Sequence, residues 1–263
     1  MMIRKELGQH FVNDKKFLKR EVGYANIGQD ETVLEIGPGI GNLTEILLKK
    51  AKKIIAIEKD LQFKEKLSKI NGNLEIIWGD ALTVKLPDFD RVISNLPFKI
   101  ALPLIFRLLS KNFKIGVLLI QERLARRICA KPSEPKYGRL SVQIQRLAEV
   151  TILENVNRNK FYPKPNIDCS LVLIEKKRNT IKVKSDDYFK KVLDYLFFRR
   201  DKKLNYVLKE LGVMKSISNK KIYELKLEDF VEISNLLYNK KVIIPVISNE
   251  LKRKAQKYAS GRI

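Results

Sequence analysis

Thr32-Val33-Leu34-Glu35-Ile36-Gly37-Pro38-Gly39-Ile40-Gly41-Asn42 is the stretch that decides the fold. It opens as an apolar run of strand length, passes into a glycine-rich turn, and continues over residues 42–50 at helical spacing. Strand, glycine turn and helix make the first unit of a nucleotide-binding α/β sheet, where backbone approaches a ligand that side chains would exclude. The glycines are spaced G-x-G-x-G, and the sixth position of the dinucleotide fingerprint is Asn42. Pro38 withholds one N–H that a pyrophosphate would use. The turn therefore suits an adenosyl ligand without phosphates better than a nicotinamide dinucleotide.

Three further strands follow the same plan. Residues 53–57 end on Glu58, which lies 21 positions beyond Gly37 and can accept from both ribose hydroxyls; taken alone it also reads as a surface acid. Residues 74–78 end on Gly79-Asp80, where Asp80 is either an acceptor for an adenine amino group or the cap of an Asx turn. Residues 91–94 run into Asn95-Leu96-Pro97-Phe98. Pro97 stops the strand and frees its last carbonyls, Asn95 brings an amide acceptor, and Phe98 brings a flat ring. That combination grips a planar base by its exocyclic amine. Gly37, Glu58, Asp80 and Asn95 thus fall on one edge of a parallel sheet, the edge at which open α/β sheets bind ligands.

Outside this core, Gly8-Gln9-His10-Phe11-Val12 precedes a helix over 14–25, and Phe11 is a staple onto the core or part of a lid. Helices are expected over 61–70, 100–109 and 121–129, and a fifth strand over 114–120. Residues 131–139, with two prolines, read as an exposed loop. Strand-like runs at 149–153 and 170–174 flank Phe161-Tyr162-Pro163-Lys164-Pro165, which is a rigid connection or the second face of a base sandwich. From residue 186 apolar residues recur at helical spacing, so the chain divides into an α/β domain, 1–178, and a small helical domain, 179–263. No internal repeat is present.

Composition points to the partner. Lys and Arg number 53 against 30 acidic residues in 263, a formal charge of +23, which calls for a polyanion, nucleic acid first. Arg199-Arg200-Asp201-Lys202-Lys203 and the tail Lys252-Arg253-Lys254 to Lys257 offer phosphate contacts, although charge runs also serve as solvated faces. No apolar run approaches the ~20 residues of a membrane span, and the amino terminus lacks a signal peptide's apolar segment. A soluble, cytoplasmic protein with no membrane partner is expected. Cys129 and Cys169, forty positions apart, read as core residues, and a single histidine, His10, leaves neither a Ser-His-Asp triad nor a metal centre.

Together the stretches 8–11, 35–44, 95–98, 137–142 and 161–165 resemble the small-subunit ribosomal RNA adenine N6-dimethyltransferases, over nearly the whole chain. The resemblance implies a Rossmann-like class I methyltransferase sheet with a C-terminal helical domain, and S-adenosylmethionine as methyl donor. It places the cofactor contacts on His10, Val12, Gly37, Gly39, Glu58, Asp80 and Asn95, and the catalytic positions on Asn95, Leu96, Phe98 and Phe161. It implies a monomer acting on small-subunit rRNA, in a pre-ribosomal small subunit, at two adjacent adenosines near the 3′ end. His10 stands where bacterial members usually have asparagine, as in the archaeal and eukaryotic branch. Cys169 replaces a common serine, and residues 199–203 only approximate the family's basic stretch. A non-catalytic RNA-binding assembly or transcription factor is the alternative, against which Asn95, Glu58 and Asp80 weigh because a binder has no need of them. A DNA adenine or protein glutamine methyltransferase would carry a second proline, where Leu96 stands.

Overall fold

The computed structural model describes residues 10–214 and 216–247. The described chain divides into two compact units, one running to Cys129 and resuming at Leu147–Arg178, the other made of Ala130–Arg146 and the residues from Asn179 onward.

The first unit begins with a two-residue strand, β1 (Phe11–Val12), and a helix, α1 (Lys15–Tyr24). Asp14 caps that helix, its Oδ1 accepting from the backbone N–H groups of Lys16 and Phe17 at 3.0 and 3.1 Å. Next come β2 (Thr32–Ile36), α2 (Thr44–Leu47), β3 (Lys53–Glu58), α3 (Lys64–Leu67), β4 (Leu74–Trp78), β5 (Arg91–Asn95), α4 (Ala101–Leu109), β6 (Ile115–Gln121) and α5 (Glu122–Cys129). One seven-stranded sheet is completed by β7 (Ala148–Val156) and β9 (Cys169–Lys176), while β8 (Phe161–Tyr162) pairs antiparallel with β1. The sheet order is β4-β3-β2-β5-β6-β9-β7; its first five strands are parallel and β9 is antiparallel to both β6 and β7. After β2 the chain builds outward through β3 and β4, then returns to the other side of β2 with β5. That reversal opens a crevice beyond the carboxyl ends of β2 and β5.

At the opposite end of these strands the sheet is tied shut. Arg91 at the start of β5 is buried, with its guanidinium on the Glu31 carboxylate and the Ala25 carbonyl, and Lys114 reaches the same carboxylate at 2.6 Å. The Arg91 hydrogen bond holds the Glu31 carboxyl at about 2.

The helices at the ligand edge are shorter than the sequence pattern suggests. The stretch 42–50 contracts to α2, and 61–70 becomes a 3₁₀ turn, Leu61–Phe63, followed by α3. Gly41 at φ +87° delays the first helix, and its missing side chain leaves room for Ile70, whose Cδ1 would lie 2.4 Å from a Cβ there.

The second unit holds α6 (Arg139–Leu147) up to Arg146, then α7 (Asp186–Phe198), α8 (Leu204–Glu210) and α9 (Leu227–Asn239). It takes in Ala130–Arg146, which the sequence division at 178 assigns to the first domain. The sequence pattern gave 140–147 no element, because Leu140, Val142 and Ile144 alternate at strand period while the stretch folds as a helix. The loop before it is exposed as expected, except at Tyr137. That ring is buried, and its hydroxyl donates to the Leu225 carbonyl at 3.0 Å. The core gathers Phe189, Leu193 and Leu196 of α7, Leu204, Val207 and Leu208 of α8, and Phe230, Ile233 and Leu237 of α9. Arg199, expected as a phosphate contact, packs on the Tyr195 ring at 4.2 Å and pairs with Glu210 at 2.8 Å, whereas Lys202 and Lys203 are exposed. Among the described residues no helix is long and apolar enough to cross a membrane. The basic tail 252–257 and Gly8-Gln9 lie outside the described residues.

Candidate active site

A cavity of about 240 Å³ lies at the carboxyl edge of the sheet, wholly within the first unit, and every cofactor and catalytic position expected from the sequence lines it. The glycine turn forms its floor. Gly37 (φ +70°) and Gly39 (φ +55°) adopt left-handed backbone, and Gly39 donates its N–H to Oε2 of Glu58 at 3.0 Å. The other Glu58 oxygen accepts from the Asp60 N–H at 2.7 Å. Glu58 is therefore fixed in place by backbone donors, and its carboxylate can still accept from a ligand hydroxyl. Burial raises its pKa, against the lowering by these backbone donors. Asp80 combines both uses foreseen for it: Oδ1 accepts from the Leu82 N–H at 2.8 Å as an Asx turn, Oδ2 takes Lys59 at 2.9 Å, and the side chain still lines the cavity. Those bonds hold its carboxyl below the ordinary range.

A strap from the amino-terminal segment crosses the turn. Phe11 rests on Gly39, where a Cβ would lie 2.6 Å from its Cε1, and meets Phe63 edge-on at 5.8 Å between centroids. Asn42, read from the sequence only as a departure from glycine, clamps the strap: its Nδ2 donates to the Val12 carbonyl at 3.1 Å and to Oδ1 of Asn13 at 3.0 Å. Gly39→Ala should lower stability by about 1–2 kcal/mol from backbone conformation alone and unseat Phe11. A melting temperature equal to the wild type's would show that the turn tolerates a side chain.

The opposite wall is the end of β5. The β2–β5 ladder pairs only Val33 with Arg91 and Leu34 with Val92, so the strands part toward the crevice. Buried Ser94 spans the gap, its hydroxyl donating to the Ile36 carbonyl at 2.6 Å and accepting from the Ile36 N–H at 3.3 Å. Leu96 donates its N–H to the Leu119 carbonyl at 3.1 Å, and Pro97 accepts from Ile100 at 3.1 Å. Oδ1 of Asn95 is buried and has no partner among the described residues. An amide oxygen so placed carries a desolvation cost of about 1–3 kcal/mol unless something donates to it.

Phe161 is buried in the cavity wall, yet the ring stacked on Phe98 is that of His10, at 5.2 Å and 25°. His10 is anchored by a 2.7 Å hydrogen bond between Nδ1 and the Pro163 carbonyl. Glu35 was not singled out from the sequence. This carboxyl is buried in β2, lines the cavity, accepts from the Thr44 hydroxyl at 2.7 Å, and is pushed up to about 8 by burial. A lone acid inside an apolar strand was its only signal.

Comparison with known proteins places this geometry. The sequence model of the family described as "Ribosomal RNA adenine dimethylase" matches residues 1–240. A probable ribosomal RNA small subunit methyltransferase A of Thermococcus sibiricus is 38% identical over 257 residues, 90% of this chain and 93% of that protein. Its counterpart in Methanosarcina barkeri is 36% identical, over 92% and 90%. Among solved structures, a dimethyladenosine transferase from Plasmodium falciparum superposes with a TM-score of 0.79 at 28% identity, covering 89% of this chain and all (100%) of that one. The 23S rRNA methyltransferase ErmE shares the fold, with a TM-score of 0.68 at 21% identity over 87% and 99%. The sheet is thus the Rossmann-like one of class I methyltransferases.

Proposed function

This chain belongs to the ribosomal RNA adenine dimethylase family and is an rRNA adenine N6,N6-dimethyltransferase, and from that premise we propose that the cavity binds S-adenosylmethionine on the glycine turn and an extruded adenine against Asn95-Leu96-Pro97-Phe98. The substrate is small-subunit rRNA at two adjacent adenosines near its 3′ end, met in the cytoplasm in a pre-ribosomal particle by a monomeric enzyme.

The observation that carries this reading is the buried Oδ1 of Asn95, which has no donor among the described residues. It needs a donor, and the adenine amine brings two N–H groups. The cofactor fits as well. Gly37 and Gly39 line the cavity with left-handed backbone that carries no side chain, and buried Glu58 offers lone pairs to ribose hydroxyls. Val12, His10 and Asp80 complete the lining, with Asp80 suited to an adenine amino group. When bound, S-adenosylmethionine supplies an electrophilic methyl group on a sulfonium.

The chain's own part is positional. An adenine amine is a poor nucleophile because its lone pair is delocalised into the ring. Acceptance of its two hydrogens by Asn95 Oδ1 and the Leu96 carbonyl favours a pyramidal nitrogen and aims the lone pair. Phe98 holds the ring plane from one face, and Phe161 closes the wall. Such orientation is worth several kcal/mol, and no strong base is required, since a methylated ammonium loses its proton to the Leu96 carbonyl or to water. In the second unit the exposed Lys202 and Lys203 hold RNA phosphates.

Base stacking on an aromatic ring is worth about 1–3 kcal/mol, so Phe98→Ala should lower kcat/KM by about one to two decades. Unchanged turnover would remove Phe98 from the site. The reading as a whole is tested by mass spectrometry of rRNA from cells lacking the protein, followed by methyl transfer from labelled cofactor to their small subunits. Fully dimethylated rRNA in such cells would refute it, and so would a purified protein that binds these subunits without modifying them, as the assembly-factor alternative requires.

A further inference from the structure

We propose that Tyr162 is the stacking platform for the nucleotide that flanks the target adenosine, with Lys164 holding a phosphate beside it; the inference rests on the reading of the cavity given above. Successive side chains of a strand face opposite ways. In β8, Phe161 is turned into the cavity wall at 6% exposure, and Tyr162 stands out at 65%. The backbone beneath that ring is held by its neighbours. Tyr162 is in register with Phe11, the Pro163 carbonyl binds His10, and the Arg158 guanidinium donates to the Asn166 carbonyl at 3.1 Å. The Arg158 N–H donates in turn to Oδ1 of Asp168 at 3.0 Å.

A large ring held in water on a fixed backbone stabilises nothing in the fold, but it is preorganised for a flat partner. The charges around it agree. Lys160 is engaged by Asp14 at 3.2 Å and lies over the Phe17 ring, whereas Lys164 is exposed and meets no carboxylate among the described residues. When one adenosine is drawn into the cavity, its neighbour loses a stacking face. An aromatic ring one residue along the strand from Phe161 restores that face in a manner indifferent to base identity.

The test uses the full chain, labelled S-adenosylmethionine and small ribosomal subunits from cells lacking the protein. Tyr162→Ala should raise KM for subunits about tenfold or more, with kcat and KM for the cofactor within about twofold of the wild type, and Tyr162→Phe should restore KM. In parallel, 2-aminopurine placed next to the target adenosine of a single-stranded oligonucleotide should be quenched at saturation by the wild type and by Tyr162→Phe, and not by Tyr162→Ala. An unchanged KM, or equal quenching by the alanine variant, overturns the proposal. Should the wild type transfer no methyl group, the functional reading falls instead, and the quenching still reports whether Tyr162 stacks.

Discussion

Asn95→Ala should reduce kcat for methyl transfer by about two to three decades, the range found when a positioned polar group at a reacting centre is removed. The side chain stands at the end of β5 with its oxygen buried and unpartnered, so its desolvation has already been met by the fold. The amine that fills this place therefore gains a full-strength hydrogen bond in a low-dielectric site. Cofactor binding should fall far less, because Glu58 and the glycine turn do not depend on Asn95. Single-turnover transfer at saturating cofactor and substrate separates the two effects. Loss of affinity with intact single-turnover rate would show that Asn95 only binds. Fold stability should hold or rise slightly, since an unsatisfied buried acceptor disappears.

The second large effect concerns Glu35 and pH. Burial, then the Glu58 charge, raises its carboxyl from 4.5 to about 8 in the folded chain, partly offset by the Thr44 hydrogen bond. A raised acid keeps its proton in the folded state while the unfolded chain ionises. Its contribution is thus neutral below the ordinary pKa of 4.5, and stability is lost as pH climbs from there to about 8, above which the loss is complete. A displacement of that size corresponds to roughly 4–5 kcal/mol. Glu21, fully buried in α1 with both oxygens unpartnered among the described residues, adds in the same direction, through burial and then the charges of Glu35 and Glu154. Glu31 acts in the opposite sense, but only as pH falls through the acid range.

Glu35→Gln keeps an acceptor for Thr44 and removes the ionisation. Urea unfolding followed by the chain's one tryptophan, Trp78 in β4, should show the variant near the wild type at pH 5 and more stable by several kcal/mol at pH 8. A difference that does not change with pH would mean that Glu35 is ionised in the folded protein.

How far the sequence carried these conclusions can be judged from particular residues. Periodicity and the glycine turn gave the parallel strands, because buried parallel strands are written as continuous apolar runs and a left-handed turn is written as glycine. Pro97 marked the end of β5 through the absence of an N–H, a local property that no packing changes. The helix 139–147 was not legible, since its apolar residues alternate and its conformation is chosen by the core it packs into.

The amino-acid sequence by itself determined which chemical groups stand at the strand ends, and hence that an adenosyl ligand and an adenine suit this chain, because strand termini and backbone freedom are encoded locally. Only the tertiary structure decided that Asn95 lacks a partner, that Asn42 clamps the strap over Gly39, that Glu35 keeps its proton, and that Arg199 turns onto Tyr195. Those four outcomes depend on how other parts of the chain pack around each side chain. Hydration is a property of the assembled neighbourhood, and no run of residues states it.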